Sequence, residues 1–375
     1  MTDAQVLEHL SRADRPTSFD IDEIPVPNGR EEDWRFTPMR RVEKLFDLDG
    51  YEDEAEVVIQ APKGIISETV PMTDPRLGKV LAPGDRTAVV AWNAAKSATI
   101  VTVPKDMELE DPVVIAISAK EKLAANHILI MAEENANATV ILGHSGHACL
   151  NQTVEIRAKD GAQLNVITIH EWERDALHAS NHRVSVGRDA TLNHMVVTLG
   201  GDLVRVCVDT EYTAPGGTLH LDGLYFVDAG EHFEHRIFVD HSTPNCYSRV
   251  TYKGALQGKD AHGVWIGDCL IGEQADATDT YELNRNLILT EGAKADSVPN
   301  LEIENGDIEG AGHASATGRF DDEQLFYLMS RGINASDAKR LVVRGFFAEL
   351  INKIDVVELR EHLMDQVEIK LEGSH

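Results

Sequence analysis

The sequence predicts a mainly β protein: a β-helix-like stack of strands, entered through an irregular arm and followed by a helical segment. Three observations carry this expectation. Short β-branched runs bounded by Gly, Pro and Asp begin near residue 54. Between about 126 and 312 a unit of strand, small-residue turn and strand recurs. Beyond about residue 320 the apolar spacing changes to every three or four positions. With 42% hydrophobic and 26% charged residues, the 375-residue chain can bury a sizeable core.

Three parts follow in order: 1–53, a helix and arm; 54–318, the β core; 319–375, a helical domain. Residues 4–12 (AQVLEHLSR) predict a short amphipathic helix. Pro16, Pro25, Pro27 and Gly29 make 16–30 irregular. In EEDWRFTPMRRVEKLF (31–46), Pro38 breaks any single helix, and Trp34, Phe36 and Phe46 are placed to pin the arm to a body. The runs EVVIQA, TAVVAW, ATIVTV and DPVVIAIS then read as strands.

The repeating unit is read in VEIRAKDGAQLNVITI (154–169), VSVGRDATLNHMVVTL (184–199), 206–227, 250–271 and 286–303. Its intervals are irregular. Strand units at this spacing cannot bury an apolar face alone, so they stack, and the ends of the stack need a cap or a partner. A large sandwich is the competing architecture.

At the C-terminal end, Asp321 and Gln324 approximate a capping box ahead of LFYLM, and Gly332 stops that helix. A second helix places Leu341, Val343, Phe347, Leu350 and Ile354 on one stripe. A third repeats Val356, Leu359, Leu363, Val367 and Leu371. Adjacent Phe346 and Phe347 cannot both face one core, so with Phe326 they are candidates for a partner surface.

Charge and motifs narrow the function. Sixty-three acidic residues against 35 basic ones give a net charge of −28, which disfavours nucleic acid and anionic membranes. There is no signal-like N-terminus and no long apolar run, and Cys149, Cys207, Cys246 and Cys269 form no C-x-x-C pair. The expected setting is the cytoplasm, with reduced thiols. Several catalytic patterns fail at a required residue. HEWER (170–174) has Arg174 where a zinc ligand belongs. GHSGH (143–147) closes on His147 instead of Gly. The phosphate-loop-like Gly254, Gly258 and Lys259 are followed by Asp260 rather than Ser or Thr.

Among sixteen histidines, His144 and His147 with Cys149, and His232, His235 and His241 with Cys246, are possible chelates by composition. Residues three apart on a strand face opposite ways, which argues against both. His313 differs. Gly310, Ala311 and Gly312 precede it and Ala314, Ser315 and Ala316 follow, leaving its imidazole open to another backbone.

This last region resembles a known family. NRNLILTEGAKADSVPNLEIENGDIEGAGHASATGRFDDEQLFYLMSRGI is similar to the C-terminal signature of the SufB/SufD proteins of the SUF iron–sulfur assembly system. EEDWRFTP and HFEHRIFVDHSTPNCYSRVTYKGAL resemble it too, so the likeness touches 31–38 and most of 225–350. Within the family the chain looks closer to the SufD branch. SufB members carry a cysteine shortly before the matching histidine, whereas no cysteine here follows Cys269. Some SufD proteins have a cysteine two residues before that histidine, where this chain has Ala311.

The resemblance implies a right-handed parallel β-helix with a C-terminal helical domain. It implies a non-catalytic scaffold that pairs with a SufB-like paralogue and docks a SufC-like ABC ATPase. A transient iron–sulfur cluster would form at the subunit junction, where His313 matches the histidine of the family. A cysteine desulfurase system would act through the complex. A reduced flavin is associated with that complex, though no flavin motif is legible. Mixed thiolate and imidazole ligation suits a cluster that has to leave. Two other readings stay open on the residues: a carbohydrate-active β-helix enzyme with paired carboxylates, and a SufB-like scaffold that accepts sulfur on one of its four cysteines.

Overall fold

The computed structural model describes residues 14–320 and 322–373. The predicted helix at 4–12 and the capping residue Asp321 lie outside the described residues. The arm runs through short 3-10 turns to helix α1 (Met39–Val42) and strands β1 (Asp53–Glu54), β2 (Glu56–Gln60) and β3 (Ile66–Pro71). Helix α2 (Arg86–Ala94) and strands β4 (Ser97–Val103) and β5 (Val113–Ala119) follow. From there every strand has ten residues: β6 (Leu123–Ala132), β7 (Asn137–Gly146), β8 (Cys149–Ala158), β9 (Gln163–Trp172), β10 (Leu177–Val186), β11 (Thr191–Gly200), β12 (Leu203–Tyr212), β13 (Thr218–Val227), β14 (His232–His241), β15 (Tyr247–Leu256), β16 (His262–Ile271), β17 (Asp279–Ile288), β18 (Lys294–Ile303) and β19 (Gly310–Arg319). Helices α3 (Asp322–Ser330), α4 (Ala335–Ile351) and α5 (Val357–Glu372) complete the chain.

Even-numbered strands from β4 to β18 stack into one parallel sheet (sheet A), and odd-numbered strands from β5 to β19 stack into another (sheet B). The chain alternates between them, so the β body is a parallel solenoid, as expected. Its turns are unequal in length. The step from Leu177 to its stacked neighbour Leu203 is shorter than the step from His262 to Lys294. That drift is why the sequence repeat is loose. The first three repeat units cross the corner from sheet A to sheet B, and the last two cross the opposite corner. The corners admit left-handed backbone at Asp189 (φ 53°) and Asn245 (φ 58°), residues that tolerate it.

The two inner faces enclose one long apolar core, with Ile130, Val154, Val184, Val206, Phe233 and Trp265 among its members. Two further layers cover the outside. The arm and α2 lie on sheet A. Trp34 meets Phe46 edge-on at 5.2 Å, and both are buried with Leu45 against Cys149, Ala179 and Leu203. TAVVAW is therefore not a strand. Asp85 caps a helix there by accepting the Ala88 N–H (2.8 Å), and Thr87 to Ala91 are buried. A short apolar run fits either state locally, and tertiary burial selects the helix.

On sheet B, α4 and α5 bury Val343, Phe347, Leu350, Ile354, Leu363 and Val367 against Ile167, Met195, Val197 and Phe226. Cations fasten the layer. Lys253 Nζ donates to the Phe346 carbonyl (2.9 Å), Lys353 pairs with Asp222 (2.8 Å) and Lys370 with Glu231 (2.9 Å). These helices thus share a core with the solenoid. Leu341, predicted on the buried stripe, is instead 52% exposed. It lies two positions before Val343, and residues two apart on a helix do not share a face. Gly332 (φ 88°) ends α3 in left-handed backbone, as expected.

The two ends of the solenoid differ. At the N-terminal end, β2 and β3 close the sheets by antiparallel pairing with β5 and β4. At the C-terminal end, β18 and β19 are the last strands of their sheets, and each has one partner strand.

Candidate functional site

The candidate site is built on this open C-terminal turn. In β17 the residues Thr280, Glu282, Asn284 and Asn286 are buried and face the solenoid interior. β19 pairs with β17 in register, placing Ala311 over Thr280, His313 over Glu282, Ser315 over Asn284 and Thr317 over Asn286. In-register parallel neighbours point the same way. The His313 side chain therefore belongs to the inner column, yet it is exposed because, among the described residues, no strand stacks on β19. Ser315 Oγ donates to Ser297 Oγ (2.7 Å), tying β19 to β18 across the interior, and Asn286 lies 3.4 Å from Thr317 Oγ1. The residues around His313 are small, as the sequence shows.

Directly beneath His313, Glu282 is 1% exposed, and neither of its carboxylate oxygens has a hydrogen-bond partner among the described residues. Burial, with the nearby Asp268 charge, pushes its carboxyl up to about 8. Gly267 makes room for it. A methyl group there would collide with the Trp265 ring and lie 2.8 Å from Glu282 Oε2. The Cys269 thiol is close by, 3.4 Å from Thr280 Oγ1, and burial pushes that thiol up as well.

The other histidines resolve into different roles. His144 is buried, with Nδ1 3.0 Å from the Ile169 carbonyl, while His147 follows the end of β7 and is exposed, where Asp175 accepts from it at 2.8 Å. Cys149 packs under the arm, so His144, His147 and Cys149 form no chelate. The second group is also separated. His235 meets Thr198 Oγ1 (3.0 Å), His241 meets Ser248 Oγ (2.9 Å), and His232 faces His262 (3.1 Å). Burial takes His144 down to about 4 and His194, His235 and His241 down to about 3, so these rings are neutral polar members of the core. Among the described residues, the one group of three ligand-type side chains within reach of a common ion is Glu121, His147 and Asp175 on a solenoid corner.

All four cysteines are buried, and burial pushes the Cys207 thiol up to about 12. A sulfur acceptor needs an accessible sulfur, and all four are enclosed. HEWER begins in β9 and runs past its end, GHSGH begins in β7 and runs past its end, and Gly254 sits inside β15 packed against Tyr225, so neither the helix of a zinc site, nor a nucleophile elbow, nor a phosphate loop forms there.

Two of the sequence blocks that carried the resemblance meet in space. Thr37 Oγ1 donates to Glu234 Oε2 (2.7 Å), Arg236 donates to Asp33 Oδ1 (2.6 Å), and the Arg205 guanidinium lies 3.9 Å over the Trp34 ring. Glu234 is fully buried. Desolvation raises its carboxyl, but a hydrogen bond from His232 and the charges of Arg205 and Arg236 outweigh that and hold it well below the usual carboxylate range. EEDWRFTP and HFEHR thus form one polar lock that fixes the arm.

Of the predicted partner surface, Phe326 is 74% exposed on α3, beside exposed Tyr327 and Met329. Phe346 is half-buried. Phe347 is a correction: it is fully buried, 6.5 Å from the Phe226 ring, because it faces sheet B. Among the described residues of the C-terminal helices, the exposed large apolar side chains are Phe326, Tyr327 and Met329 on α3, Leu341 on α4, and Val357 and Ile369 on α5.

A family model described as the SufBD core domain of SUF system Fe–S cluster assembly matches residues 115–346. An iron–sulfur cluster assembly SufBD family protein of Mycobacterium bovis is 49% identical over 364 residues, covering 95% of this chain and 92% of that protein. Escherichia coli SufD is 30% identical over 52% of this chain and 46% of its own length. Bacillus subtilis SufB is 24% identical over 79% of this chain and 65% of its own length.

Proposed function

The chain belongs to the SufBD family of the SUF iron–sulfur cluster assembly system, and from that premise we propose that it is a non-catalytic scaffold subunit of the SufD type. In this reading it pairs with a SufB-type chain through its C-terminal turn, with the nascent cluster as shared cargo. The observation that carries the reading is the open last turn with His313 on it. Exposed strand edges invite pairing with another chain, and soluble proteins usually blunt or cover them. Here α4 packs mainly on β13 and β15, away from that edge. A partner solenoid would cover β18 and β19 and bring its own ligands to His313.

The SufD-type assignment rests on the sequence around His313, which has no cysteine after Cys269, and on the burial of every thiol. His313 would supply a nitrogen donor, and sulfur would enter from the partner. An ABC ATPase would dock on Phe326, Tyr327, Met329 and Leu341, large apolar side chains that α3 and α4 leave exposed. ATP-driven movement would then open the junction and release the cluster.

Co-production with a SufB-type chain and a SufC-type ATPase tests this reading. One complex containing all three chains is expected by size exclusion with light scattering. A SufB-type and ATPase complex that forms while leaving this chain free would contradict it.

A further inference from the structure

The column that ends on His313 is apolar apart from His194 until its last two positions. Following the strand register, it reads Val113, Val140, Val166, His194, Leu221, Val250, Glu282 and His313. A valine therefore fits the position one turn below Glu282. A carboxyl there, without a hydrogen-bond partner, is costly to the fold. Its neighbours are arranged around it nonetheless. Gly267 leaves space for the carboxylate next to the Trp265 ring, whose indole nitrogen is likewise buried with no hydrogen-bond partner among the described residues. The terminal turn above carries only small inward side chains next to His313, namely Ala311 and Ser315. This carboxyl lies one strand from an exposed imidazole.

We propose that Glu282 and His313 form a nitrogen–oxygen pair that holds a divalent iron ion at the open end of the solenoid before it is built into a cluster. The inference rests on the reading of the terminal turn given above and adds a second residue to it. Stacked strands stand about 4.8 Å apart. Two donors on one ion, each at about 2.1 Å, lie closer together than that, within the flexibility of both side chains. Imidazole with carboxylate is a donor set suited to divalent iron. On binding, the carboxylic acid of Glu282 gives its proton to solvent, and the metal keeps its oxidation state. The remaining coordination positions face outward, open to water and then to sulfide and the partner's ligands.

Anaerobic titration of the full-length chain with Co(II), followed by its visible absorption, tests the pair. All variants carry His147→Ala, which removes the exposed Glu121–His147–Asp175 group as a competing site. One ion per chain is expected, and Glu282→Gln and His313→Ala should each weaken binding at least tenfold. Glu282→Val, the residue of the same column one turn below, should do the same and provides a second folded variant. Thermal unfolding without metal confirms that each variant is native. Binding unchanged in both Glu282 variants but lost in His313→Ala would overturn the role of Glu282 and leave His313 standing. Failure of the parent chain to bind, or binding indifferent to both residues, would overturn the pair. The cluster-delivery reading of His313 would then be judged separately, by maturation of iron–sulfur enzymes in cells.

Discussion

Glu282 ionises near 4.5 in an unfolded chain but only near 8 in the fold, where burial and Asp268 oppose its charge. The sign of the linkage follows. Between those values the unfolded state binds fewer protons than the native state, so this group's contribution to stability falls as pH rises, levels off above about 8, and vanishes below about 4.5. Glu282→Gln should remove that slope. In chelator-treated protein the variant is expected to melt roughly a few degrees above the parent at pH 8 and level with it near pH 4. A constant difference across the range would show that the carboxyl is not the source. The exposure of His313 was legible in the sequence because small residues flank it. Glu282 was not, because β17 buries Thr280, Glu282, Asn284 and Asn286 while turning Tyr281 and Leu287 outward. Read by polarity alone, that strand has its faces reversed.

The C-terminal helices show the same limit at the scale of an element. Their periodicity located Val343, Phe347 and Leu363 on buried faces, but not what they are buried against, since an apolar stripe does not name its partner. The outer face of sheet B supplies it. Phe347→Ala should cost about 3–5 kcal/mol in stability by emptying a filled site against Phe226. Phe326→Ala, on the exposed helix α3, should move stability by no more than about 0.5 kcal/mol yet weaken binding of the ATPase partner. Denaturant unfolding and a pull-down separate the two effects. Equal binding by the Phe326 variant would place the docking surface elsewhere. The arm was legible through its aromatics, Trp34 and Phe46. Its polar lock to Glu234 and Arg236 joins segments far apart in the chain and has no local signal.

Across the whole molecule, stacking one strand on another buries every inner face except the last. The repeat could be read because each turn reuses the same corner chemistry, although turns of unequal length blur its period. The resulting solenoid is closed by antiparallel strands at one end and open at the other. Function is proposed at the open end, where stacking alone leaves a histidine uncovered. The central claim is that His313 serves cluster assembly and not the fold. The most direct measurement is maturation of an iron–sulfur enzyme in cells that depend on this system and carry His313→Ala, with the level of the folded chain measured in parallel. The account predicts normal folding and complex formation with enzyme maturation abolished or sharply reduced, while His313→Ala in the purified chain unfolds within about 0.5 kcal/mol of the parent. Normal maturation in that variant, or an unfolded chain, would contradict it.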